Sequence, residues 1–147
     1  MHLVFLPFRR AHVILFQLTY ADCVLWNFYL NDPKQPLTVD NIRIRDLFTR
    51  DPQEEHFFLT SARIEVRGFE AIQLMGDAIA MVHNTTTSDQ PADENSFNNT
   101  LSRLSLVIDD LNKILWAVRD ACGYQFFYWV FRPVSNGPRV SARVYTK

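Results

Sequence analysis

Three short segments set aromatic rings beside a polar or charged group, the raw material of a pocket for a flat ligand. The first is Tyr20-Ala-Asp-Cys-Val-Leu-Trp-Asn27, the second His56-Phe-Phe-Leu-Thr-Ser61, the third Phe126-Phe-Tyr-Trp-Val-Phe-Arg132. Phe57 and Ser61 stand four apart, so on a helix they share a face. Arg132 follows a run of apolar residues, and a lone guanidinium in that company needs an anionic partner. It either grips a ligand carboxylate with both prongs or sits at a helix end and bonds the last carbonyls. The other residues have plainer readings too. Tyr20, Cys23, Val24 and Phe57 also read as ordinary core, and Ser61 as a packing hydroxyl bonded to its own backbone.

No self-sufficient catalytic set accompanies them. There is no Ser/His/Asp arrangement and no HExxH, and four glycines make a phosphate cradle improbable. Glu54-Glu55 and Asp109-Asp110 read as solvated faces and caps rather than acid/base pairs. The histidines (His2, His12, His56, His83) are scattered, and Cys23 and Cys122 form no CxxC pair, so no zinc spacing exists. Any catalysis therefore needs a bound cofactor for the difficult chemistry. A net charge of -1 with both signs interspersed argues against nucleic acid. Two cysteines suit a reducing compartment, which points to the cytoplasm. Met1 to Leu18 is apolar but broken by Pro7 and Arg9-Arg10, and reads as soluble core rather than a leader or a membrane span. Asn84-Thr85-Thr86 and Asn98-Asn99-Thr100 match a glycosylation pattern that matters only in secreted chains.

The elements that must hold these segments are mostly helical. Val13 to Leu30 reads as a helix buried on most sides, though periodicity alone does not exclude a strand. Asn31-Asp32-Pro33 ends it, and 41–50 reads as a short strand or irregular connection. Asp51-Pro52 opens a second helix as cap and first residue. Phe58, Ser61, Ile64, Gly68, Ile72, Met75, Ile79 and Val82 mark its inner face. Residues 84–96 form a polar loop. Phe97, Leu101, Leu104, Ile108, Leu111, Leu115 and Val118 give a third helix whose stripe is core or a helix–helix seam. Gly123 ends it, and the aromatic run that follows is stopped by Pro133. Four helices with loops predict an all-α helical bundle in a single domain.

Tyr20-Ala-Asp-Cys-Val-Leu, Asn31-Asp-Pro-Lys-Gln-Pro-Leu-Thr, Phe57-Phe-Leu-Thr-Ser with Ile64-Glu-Val, and Phe127-Tyr-Trp-Val-Phe-Arg-Pro resemble the indoleamine 2,3-dioxygenases, in order and near spacing. The resemblance covers roughly residues 13–134, while 1–12 and 135–147 diverge. It implies part of the large haem-binding domain of an enzyme using haem b, iron, O₂ and L-tryptophan (or a related indole) to make N-formylkynurenine, in tryptophan catabolism by the kynurenine pathway. It would place Tyr20, Cys23 and Val24 in the inner pocket, Phe57 and Phe58 by the indole, and Ser61 near the bound O₂. Phe127 would wall the substrate, and Arg132 would pair with its carboxylate.

The resemblance also puts the iron-ligating histidine beyond the segment of Arg132, and none of the four histidines here matches it. The expectation is no metal ligand in this chain and no activity of the chain alone. A truncated gene model accounts for that more simply than a retained non-enzymatic paralogue. Half a pocket would leave apolar surface open, favouring self-association. The rival reading is a cofactor-free helical interaction module pairing through the 97–118 helix.

Overall fold

The structure, a computed structural model, describes residues 19–87 and 93–135. The Met1–Leu18 reading lies outside them. The chain enters through a π-helical turn, Ala21–Leu25, then strand β1, Phe28–Leu30. An eleven-residue loop leads to β2, Ile42–Ile44, which pairs antiparallel with β1 in the register Phe28–Ile44, Tyr29–Arg43, Leu30–Ile42. The expected helix over Val13–Leu30 is thus corrected. Its described part is one wide turn and a strand, because Asn27 breaks the run. The Asn27 amide donates to the carbonyls of Cys23 and Asp46 and accepts from the Asp46 N–H, so one buried side chain ties turn to hairpin. Asn41 does the same for the loop, donating to the carbonyls of Asp32 and Pro36 and accepting the Asp32 N–H.

Helix α1 runs Pro52–Thr87, about 54 Å at 1.5 Å per residue. It starts where Asp51-Pro52 predicts, with Asp51 Oδ1 accepting the Gln53 N–H at 2.8 Å. Glu54 is not the solvated carboxylate expected. It is fully buried and accepts the N–H groups of Phe48 and Thr49. Arg50 takes a left-handed backbone, φ 60°, to make this turn.

Helix α2, Glu94–Ala121, starts at Asp93, whose side chain accepts the Ser96 N–H. The polar 84–96 segment is therefore helical at both ends. Its paired positions on α1 (56 with 117, 67 with 110, 70 with 103) show that the two helices run antiparallel. Ala71, Leu74 and Val107 form the seam, flanked by Leu104 and Leu111. The sequence stripes are wider than this seam: Ile72, Met75, Ile79 and Val82 on α1, and Leu101, Ile108 and Leu115 on α2, face outward. Arg67 bridges Glu70 and Asp110, Arg103 joins Glu70, and Lys113 joins Asp110, lacing the seam with charge.

After α2, Gly123 keeps an ordinary φ of -67°, and its N–H donates to Gln53 Oε1 at the start of α1. A last helical run follows in three contiguous pieces, Tyr124–Phe126, a second π-turn Phe127–Phe131, and Arg132–Ser135. Pro133 does not stop it. Proline lacks an N–H and its ring crowds the carbonyl four residues back, and the wide turn just before it relieves that crowding. Helix dominates, and the three-residue strands are a local clasp, so the all-α assignment stands. The main core lies where the hairpin, the start of α1 and the last helical run meet: Val24, Ile42, Ile44, Phe58, Leu59, Ala62, Phe126 and Phe131.

Candidate functional site

The second and third aromatic segments meet in this core. Phe57 packs on Phe127 at 5.2 Å between ring centroids and on Phe131 at 5.2 Å, while Phe58 meets Phe131 edge-on at 5.4 Å. Phe131 touches four rings in all: Phe57, Phe58, Phe126 and Phe127. It was not among the residues singled out from the sequence, although it lies in the third segment. Its place at the end of a run of aromatic and apolar residues, beside the more conspicuous Arg132, hides how central it is. Val24 and Phe58 are buried beneath the cluster, whereas Phe57 and Phe127 are half-buried and reach its edge. Cys23 packs against the same core, and burial followed by the Asp22 charge pushes its thiol up.

Ser61 is half-buried, one turn beyond Phe57 on α1, and its hydroxyl has no hydrogen-bond partner among the described residues. The back-bonded hydroxyl expected of it belongs instead to its neighbour Thr60, which donates to the His56 carbonyl at 2.8 Å. Tyr20 is half-exposed and donates its hydroxyl to Glu65 Oε1 at 2.7 Å. Partial burial first, then the Glu65 hydrogen bond and charge, push its phenol up to about 12. Glu65 was missed from the sequence. The step of four from Phe57 to Ser61, extended once more, would have found it.

Arg132 is exposed, with its guanidinium 5.6 Å from the centroid of the Tyr128 ring. No carboxylate among the described residues lies within ion-pair distance of it. Arg132 does lie in the last turn of the helix, which ends at Ser135, but its guanidinium covers an aromatic face rather than bonding the last carbonyls. The remaining donors of that guanidinium are open to an incoming anion.

Asp22, Cys23, Asn27, Asp46, Leu47 and Phe48 line a separate cavity of about 220 Å³. That is smaller than the roughly 300 Å³ at which ordinary ligand sites begin. The aromatic cluster is a wall, with its own rings filling the space between them.

A haem needs an apolar face and an axial ligand for its iron. The wall suits the first need. Neither His56 nor the two cysteines fit the second. His56 is half-buried with Nε2 2.9 Å from the Ala117 carbonyl. A carbonyl only accepts, so Nε2 carries the proton and is committed there. Burial pushes up the thiols of Cys23 and Cys122, which disfavours thiolate ligation.

Comparison with known proteins places this arrangement. The family model for indoleamine 2,3-dioxygenase matches residues 10–146. Indoleamine 2,3-dioxygenase 1 of Mus musculus is 25% identical over 127 residues, covering 86% of this chain and 30% of the relative. The protein of the same name from Rattus norvegicus is 28% identical, covering 82% and 28%. The indoleamine 2,3-dioxygenase of Saccharomyces cerevisiae is 28% identical, covering 81% and 26%. The chain thus spans less than a third of the length of these relatives. A family match across nearly all of its residues settles the assignment: the chain belongs to the indoleamine 2,3-dioxygenase family.

Proposed function

We propose that this chain forms the substrate-facing wall of a dioxygenase site for L-tryptophan or a related indole, in tryptophan catabolism in the cytoplasm. The observation that carries the reading is the contact of Phe57 with Phe127 and Phe131, with Arg132 next in the chain and its donors unspent. When bound, haem b would supply the O₂ chemistry that yields N-formylkynurenine. The residues here bind and orient. Phe57 and Phe127 would offer their edges and faces to an indole, a contact worth about 0.5–1.5 kcal/mol per ring pair beyond area burial. Phe58 and Val24 would back them, and Tyr20 and Cys23 would bound the inner end. Arg132 would hold the amino-acid carboxylate, bidentate and directional. The uncommitted Ser61 hydroxyl would be the polar donor on this wall, on the side that O₂ would occupy.

Neither His56 nor the two cysteines suit an axial ligand, and the family resemblance puts that ligand beyond Arg132, so the chain alone is expected not to oxidise tryptophan. Binding by the purified chain tests the wall. L-Tryptophan should bind more tightly than tryptamine, which lacks the carboxylate, and Arg132→Ala should abolish the preference. Equal binding of both ligands by the unaltered chain would refute the role of Arg132. A ligated-haem Soret band with N-formylkynurenine formation by the chain alone would refute the inactivity.

A second reading has its own support. The outward Leu101, Ile108 and Leu115 of α2 suit pairing with another chain, including a second copy. Sedimentation across a concentration series distinguishes the readings: a dimer that ignores tryptophan favours the interaction module.

A further inference from the structure

Phe57, Ser61 and Glu65 follow one another at intervals of four, so they lie along one strip of α1. At the far end of that strip the Tyr20 hydroxyl donates to Glu65 Oε1, joining residues 45 apart. Among the described residues it is the only hydrogen bond that this carboxylate makes. The Tyr20 backbone is set separately. The Thr19 N–H and hydroxyl both donate to Asp22 Oδ2, at 3.0 and 2.6 Å, just before the first π-turn. Among the described residues, the ring's hydroxyl makes one hydrogen bond, the one to Glu65.

We infer that Glu65 is a positioning residue: its carboxylate draws Tyr20 onto the Phe57–Ser61 strip, so that the ring closes the end of the wall an indole amino acid rests against. The inference rests on the proposed reading of that wall as the substrate side. The hydroxyl remains a donor throughout the neutral range, because the phenol ionises only at about 12. Glu65 itself need not touch the ligand. A surface tether of no consequence for binding is the alternative, and its energy at so exposed a site would be small.

The full chain is titrated with a fluorinated L-tryptophan and binding is read by fluorine NMR, for the unaltered chain and for Glu65→Leu, Glu65→Gln, Tyr20→Phe and the double variant Tyr20→Phe/Glu65→Leu. Losing a charge-assisted hydrogen bond should weaken binding about five- to ten-fold in Glu65→Leu and in Tyr20→Phe. Glu65→Gln still accepts from the hydroxyl and should stay within about two-fold of the unaltered chain. The double variant should bind no worse than either single one, because both break the same contact. Unchanged binding by Glu65→Leu beside a loss in Arg132→Lys overturns the inference and leaves the wall standing. Additive losses in the double variant also overturn it. No binding by the unaltered chain overturns the wall and the inference together.

Discussion

Thr49 gives both its backbone N–H and its hydroxyl to Oε2 of Glu54, at 2.7 and 2.6 Å, while the Phe48 N–H fills Oε1. A carboxylate with no exposed surface is held entirely by the turn that precedes its own helix. Glu54→Ala leaves those donors buried without an acceptor and should cost about 2–4 kcal/mol. Glu54→Gln should fall between, since its amide NH₂ would point donors at a donor. Urea unfolding measures both, and a Glu54→Ala midpoint equal to that of the unaltered chain would show that the turn holds without it.

The same turn carries Arg50 at φ 60°. Left-handed backbone strains a residue bearing a Cβ by about 1 kcal/mol, partly offset by the entropy a glycine adds to the unfolded chain. Arg50→Gly should therefore leave the melting temperature level or raise it by a few degrees. A Pro at position 50 cannot adopt this φ and should lower it sharply. A rise in melting temperature for that Pro variant is the result the geometry forbids.

Phe131 sits among four rings, so truncating it opens a hole in the middle of the core. Phe131→Ala should cost about 3–5 kcal/mol, and Phe57→Ala less, because Phe57 is already half in water. The two losses should not add, since they share a contact. A double-mutant cycle in urea reads this directly, and strict additivity would argue against the packing.

Burial is the first cause, and a neighbouring carboxylate the second, that pushes the Cys23 and Cys122 thiols above their ordinary range. A raised thiol pKa means less thiolate at neutral pH, hence slower alkylation. Both cysteines should react with iodoacetamide more slowly than a cysteine peptide until the chain is unfolded. For Tyr20 the folded phenol titrates at about 12 against an ordinary 10.0, so the fold favours the neutral form. That contribution to stability is complete below about pH 10 and is lost as pH rises toward 12. Near-ultraviolet absorbance follows the phenolate, and its midpoint should fall in Glu65→Gln.

The parts that were legible in the sequence are those written locally. Asp51-Pro52 marks the start of α1 because a cap needs only its own next few residues. Periodicity located α2, yet it could not tell which half of the stripe is covered. Val107, the most buried residue of that helix, lies off the stripe, while Ile108 beside it faces water. A wide apolar stripe fits several rotations of a helix, and only the partner chooses one. The short strand read within 41–50 is β2, whereas β1 was hidden inside an apolar run read as helix, and the partner of Phe28 is Ile44, beyond an eleven-residue loop. Of the site, the three segments were visible, and the contact of Phe57 with Phe127 joins the second to the third. Phe131 and Glu65 were hidden because their importance lies in contacts between distant segments.

The second π-turn sets a bearing as well as a width. Each α-helical residue advances about 100° around the axis. A π-turn takes in an extra residue, as the Arg132 N–H reaching back to the Phe127 carbonyl shows. Deleting any one residue between 127 and 131 should let the turn close as ordinary α-helix. Arg132 would then swing by about 100° relative to the rings behind it. Replacing a ring here alters what the wall is made of, whereas losing one residue re-aims its cation, so length in this stretch is under tighter constraint than composition.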